Sequence, residues 1–137
     1  MPLWHNGNMN ICFRLKPGDD LKRFIEDYAI QNKVSGAVIS GVGSLKRLRV
    51  RLADSKTILE KDAKFEIVSL NGTLSPDGVH LHISVGDDKG RVIGGHLKDG
   101  CIVYTTCEVC IIAYDDIVFS RLLDNTTGYE ELSIERR

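Results

Sequence analysis

The chain has 137 residues, 42% of them hydrophobic, with 18 basic and 19 acidic side chains and a formal net charge of −1. That length suits one domain with a proper core, and that apolar fraction excludes a disordered chain. The charge balance excludes a general attraction to nucleic acid or to an anionic membrane, and no apolar run approaches the roughly 20 residues that span a bilayer.

The opening MPLWHNGNMNICF has no basic segment followed by an apolar one, so it does not read as a secretory signal. The expected location is therefore inside the cell, cytoplasmic or nuclear. The cysteines at 12, 101, 107 and 110 are then expected as reduced thiols. Residues 1–10 are polar and are expected to be flexible. Ile11–Leu15 reads as a first strand. In PGDDLKRFIEDYAIQNKVSG, apolar side chains at Leu21, Phe24, Ile25, Tyr28 and Ala29 follow a helical period. Asp19 or Gly18 is the expected cap.

From there the pattern is strand and turn. Ala37–Ser40 is a short strand, Gly41-Val42-Gly43-Ser44 a tight turn, and Leu45–Leu52 a further strand. Gly41-Val42-Gly43 is no dinucleotide fingerprint, because the third glycine and a following helix are missing. KRLRVR at 46–51 concentrates four positive charges. On a strand, Lys46 would share a face with Leu48 and Val50, opposite Arg47, Arg49 and Arg51. A salt-bridged sheet face is the expected role of that patch. A short strand at Thr57–Leu59, a strand at Phe65–Thr73 and a turn at Ser75-Pro76-Asp77-Gly78 come next.

Residues 79–97, VHLHISVGDDKGRVIGGHL, hold three of the four histidines. Asp88-Lys89-Gly90 reads as a three-residue hairpin loop with Gly90 in the left-handed conformation. Asp87 then pairs with Arg91, Val85 with Ile93, Ile83 with Gly95 and Leu81 with Leu97, a core face. The other face pairs Gly86 with Val92, Ser84 with Gly94 and His82 with His96, and His80 lies on the same side as His82. A slip of one residue would destroy both patterns. Gly94 is expected to leave open space beside His96.

Cys101–Tyr114 and Asp116–Leu122 read as the last strands, and 124–137 as a polar tail without an assigned role. Cys107-Glu108-Val109-Cys110 spells C-x-x-C, but on a strand the two sulfurs point to opposite faces and cannot hold one ion. Both are expected to be structural. One helix among many consecutive strands gives an α+β fold with a largely antiparallel sheet, over residues 11–123.

Three converging imidazoles suit a divalent metal, with zinc the first choice. His80, His82 and His96 are the candidate ligands, leaving an open position for water or a small-molecule ligand. A metal there would act as Lewis acid and lower the pKa of bound water. Glu66, an acid inside the apolar strand FEIVSL, is the candidate acid/base. Glu108 is a second such acid. Each has a plain alternative in facing solvent or pairing with an arginine.

RLKPGDDL, AVISGVGSL, FEIVSLNGTL, HLHISV, GRVIGGHL and CIVYTTCEV, in that order, resemble the PPC (plant and prokaryote conserved) domain over residues 13–120. The resemblance implies an antiparallel sheet with one main helix and a homotrimer. It also implies a metal or small-molecule site at His80, His82 and His96, as in the single-domain branch. Plant members bind AT-rich DNA through an AT-hook. No R-G-R-P core occurs in this chain, so DNA binding carries over poorly. Three functions follow as expectations: a trimeric metal-binding protein, with a metal-dependent reaction on a small molecule as its stronger form; a DNA-binding or transcription-associated module; and an interaction scaffold.

Overall fold

A computed structural model describes residues 7–137. The elements run β1 (Met9–Leu15), α1 (Leu21–Gln31), β2 (Gly36–Arg51), β3 (Ile58–Ser75), β4 (Gly78–Gly86), β5 (Val92–Leu97), β6 (Ile102–Ala113), β7 (Ile117–Leu123) and β8 (Glu130–Arg136). Six strands form one sheet in the order β1-β6-β2-β3-β4-β5, and β7 and β8 form a separate hairpin. Every strand pairing is antiparallel. The expected α+β architecture is therefore present. The far end of β2 also pairs with β5, Val50 opposite Leu97 and Arg51 opposite His96. The sheet thus curls until β5 meets β2 again, which brings Arg51 to the histidine hairpin.

Inside the curl lies the core. Leu21, Ile25 and Ala29 of α1 are buried against Leu15, Leu45, Leu48, Phe65, Leu74, Leu81 and Leu97. The cap of α1 is Asp20, not Asp19 or Gly18. Its carboxylate accepts the Arg23 N–H at 3.2 Å and the Gly100 N–H at 2.8 Å, tying the helix start to the β5–β6 turn. Asp19 instead accepts the Lys16 N–H. Asp20→Ala leaves two N–H groups without their acceptor. We expect a loss of about 1–2 kcal/mol in urea unfolding at unchanged m-value, and a loss under about 0.5 kcal/mol would refute this dual role.

Two expected breaks are absent. β2 runs unbroken through Gly41 and Gly43, and β3 runs unbroken from Ile58 to Ser75. Gly43 is there for close approach: a Cβ would press into the Thr106 carbonyl oxygen of β6. A Cβ on Gly41 would come 2.8 Å from Leu70 Cδ2. Bulges in β2 absorb the curvature, one of them between Leu45 and Arg47. Lys46 is the extra residue there and is exposed. It therefore does not share the buried face of Leu48 and Val50, since a bulge resets the alternation.

The basic patch is largely neutralised. Arg47 and Arg49 both reach Glu60, at 3.2 and 2.5 Å, across the β2–β3 ladder. Cys107 is buried, while Cys110 lies on the other face, its sulfur 3.4 Å from that of Cys12. The pair thus faces opposite ways, as strand geometry requires, although Cys110 is not in the core. At the N-terminus, Met9 and Asn10 already belong to β1. The rest of the stretch expected to be flexible, residues 1–6, lies outside the described residues. The polar stretch 124–137 supplies β8, which pairs with β7 in register from Ile117–Arg136 to Leu123–Glu130. That hairpin is anchored where Ser35 Oγ accepts the Phe119 N–H at 2.9 Å and Asp77 accepts the Arg121 N–H at 3.0 Å. No helix among the described residues is long and apolar enough to cross a membrane.

Candidate metal centre

The histidine hairpin has the register its sequence pattern dictates. Gly90 has φ +78, the Asp87 N–H donates to the Arg91 carbonyl, and His82 stands opposite His96. Leu81, Ile83, Val85 and Leu97 are buried on one face, so the alternation delivers His80, His82 and His96 to the other. One ligand atom from each of these three rings lies within 4.8 Å of the others. His80 Nε2 and His82 Nε2 are 3.3 Å apart. Two nitrogens on a tetrahedral ion with bonds of about 2.0–2.1 Å stand about 3.3–3.4 Å apart, so this pair already has the bite of a zinc site.

Among the described residues, the one buried side-chain nitrogen or oxygen without a hydrogen-bond partner is His96 Nδ1. A buried orphan of that kind costs roughly 1–3 kcal/mol. An unpaired ring nitrogen on one of three clustered imidazoles fits a site whose polar partner is a ligand rather than the chain itself. Burial pushes the His96 imidazole down to about 4, helped by the Arg51 guanidinium and by His80 and His82. Burial also lowers His80, followed by His82 and Arg121, while Glu131 opposes. Both rings are thereby kept in the neutral form that a metal ligand needs.

Gly94 departs from expectation. It lines a concavity of about 570 Å³ with His82 and His96, but its own Cβ position is not open space. A Cβ would collide with the Ile83 carbonyl oxygen and lie 2.9 Å from Ser84 Cα. The glycine lets β4 and β5 approach closely enough to set His96 against His82.

Glu66 is not brought to the histidines. It pairs with Gly86, four residues along β4 from His82 and thus about 13 Å away. It is exposed and lines a different concavity, with Ser44, Gly86 and Tyr104. Glu108 is exposed as well, opposite Arg14. The charged groups that do reach the histidines are Arg51, Arg121 and Glu131, which share a cavity of about 360 Å³ with His80 and His96. Sequence reasoning treated Arg51 only as part of a basic run and gave the tail no role. One signal distinguished Arg51: Arg47 faces Asp62 and Arg49 faces Glu60, whereas Arg51 faces Ile58. Of the three, only Arg51 lacks an acid across the ladder.

Comparison with known proteins places the fold in a family. The bifunctional protein GlmU of Synechococcus sp. (strain JA-3-3Ab) is 47% identical over 124 residues, covering 90% of this chain and 20% of that protein. The chain thus spans about a fifth of that relative's length. A hypothetical protein from Salmonella cholerae-suis superimposes with a TM-score of 0.90 at 35% identity, over 96% of each chain. The metal-containing protein of Archaeoglobus fulgidus does so with a TM-score of 0.73 at 27% identity, over 90% of this chain and 91% of that one. Residues 5–115 match the Plants and Prokaryotes Conserved (PCC) domain, and with that match over most of its length the chain belongs to the PCC domain family.

Proposed function

We propose that this chain is a divalent-metal protein that binds zinc through His80, His82 and His96 and presents the ion's free coordination position to a small molecule. The observation that carries the reading is the convergence of three ring nitrogens within 4.8 Å. The orphaned His96 Nδ1 and the metal-containing Archaeoglobus relative support it. When bound, zinc supplies Lewis acidity and a water acidified toward a pKa of about 7. The chain's own residues hold three imidazoles in register and line the adjoining cavity. The basic strand does not favour DNA, because Arg47 and Arg49 are occupied by Glu60. We also propose self-assembly into a trimer, as the family resemblance implies. The exposed apolar strip of Ile39, Val42 and Val68, each more than half exposed, gives it a surface to bury.

The test is elemental analysis of the purified, untagged protein beside His82→Ala, with molar mass by light scattering. The expected result is about one zinc per chain in the parent and loss of it in the variant. A parent that retains no zinc, iron, manganese or nickel after incubation with each would refute the metal reading. A monomeric mass would refute the trimer.

A further inference from the structure

Arg51 and Arg121 come from opposite ends of the fold. Arg51 ends β2, and Arg121 lies in β7, beyond the stretch that matches the family. Both line the cavity that His80 and His96 open into. Neither guanidinium is ion-paired among the described residues. Among the described residues, the one side-chain hydrogen-bond partner of the Arg121 guanidinium is the Thr73 hydroxyl, at 3.1 Å.

Four carboxylates share the cavity, and they do not quench these charges. Glu26 accepts the Val79 N–H and lies 3.9 Å from Lys22. Asp77 accepts the Arg121 backbone N–H. Glu130 is exposed at the rim, and Glu131 acts on His80 more weakly than Arg121 does. Ser55 and Tyr129 add hydroxyls to the same walls.

A divalent ion on neutral imidazoles would add two positive charges to a site that already holds two unpaired guanidiniums. Neither guanidinium has a carboxylate within ion-pair distance among the described residues, so both are placed to receive an anion. Guanidinium forks match the paired oxygens of carboxylate and phosphate groups. We propose that Arg51 and Arg121 form an oxyanion subsite, so that the ligand of this centre is a small molecule carrying a carboxylate or phosphate group that sits between the arginines and the metal. The inference rests on the metal reading for the second half of that ligand's contacts. The β7–β8 hairpin becomes a wall of the binding site, because it carries Arg121, Tyr129 and Glu131.

The experiment titrates zinc-loaded and chelator-treated protein with phenylphosphonate and, separately, with benzoate. Amide and arginine Nε–H signals are followed by two-dimensional NMR at constant ionic strength. The expected result is saturable binding of at least one probe to the zinc-loaded protein, with shifts at the Nε–H groups of Arg51 and Arg121. Binding should weaken about tenfold in Arg121→Gln and in Arg51→Gln, with zinc content and the amide spectrum elsewhere unchanged. Which probe binds separates a phosphate from a carboxylate ligand. Zinc retained with no probe binding, or with equal binding by parent and both variants, would overturn the inference and leave the metal reading standing. No zinc held, but arginine-dependent probe binding, would overturn the metal reading and leave the oxyanion subsite standing.

Discussion

On the proposed zinc reading, alanine at Gly72 or at Gly94 is expected to empty the site without removing any of its three histidines. Gly72 lies opposite Leu81, between the residues that carry His80 and His82, at φ +153. A Cβ there would run into the His80 carbonyl oxygen and come 2.8 Å from Leu81 Cα. At Gly94 it would strike the Ile83 carbonyl. In both places the obstacle is backbone, which cannot swing aside as a side chain can. The strands must part: at Gly94 this separates His82 on β4 from His96 on β5, and at Gly72 it displaces the β4 backbone that carries His80 and His82. We expect a loss of about 1–3 kcal/mol in urea unfolding and a fall in zinc content to a small fraction of the parent's. Gly86→Ala is the control in the same hairpin. Its Cβ would meet only Val68 Cγ2, at 3.6 Å, an ordinary contact. Full zinc content in Gly72→Ala and Gly94→Ala would mean that the close approach of these strands does not set the ligand geometry.

The second large effect is expected at Phe65, the largest fully buried side chain among the described residues, 1% exposed at the centre of β3. Phe65→Ala removes a ring from a core that α1 closes on one side, and the strands around it are tied into a curl that cannot collapse inward. A loss of about 3–5 kcal/mol is expected. Domains of this kind have only about 5–15 kcal/mol in all. The chelator-treated variant should therefore unfold on the order of 10 °C or more below its parent. Zinc in excess should recover part of that, since a ligand at 1,000 times its Kd stabilises the native state by about 4 kcal/mol. Glu66→Ala, the next residue along the same strand but exposed on its other face, should move stability by under about 0.5 kcal/mol. Similar losses at the two positions would show that the β3 core face is misassigned.

The hairpin was legible because three independent constraints agree on it. A glycine in a left-handed loop position, a period of two and an apolar face select one register, and His82 opposite His96 follows from it. The continuity of β2 was not legible. Gly41 and Gly43 carry the same composition in a turn as in a strand pressed against a neighbouring backbone, and only the position of β6 decides. Glu66 was attractive as an acid in an apolar strand, yet alternation alone puts it on the outer face. Besides Arg51 of β2, the charged residues that approach the histidines, Arg121 and Glu131, come from β7 and β8, whose sequence gives no hint of where the hairpin docks. That docking depends on Ser35 and Asp77, far away in the chain. Local pattern reveals local pairing, and the cavity beside the metal centre is built almost entirely from distant pieces.

The sheet order has a consequence for how this chain is made. β1 leaves the ribosome first, but its partner is β6, so that Cys12 waits for Cys110, 98 residues later. At about 5–20 residues per second, that wait lasts on the order of 5–20 seconds. β2, β3, β4 and β5 are consecutive in both sequence and space, and they can zip together meanwhile. The histidine hairpin therefore exists before the edge of the sheet does. The first strand spends its wait with its backbone unpaired, and of the strands in this sheet it offers a chaperone the longest opportunity to bind during synthesis.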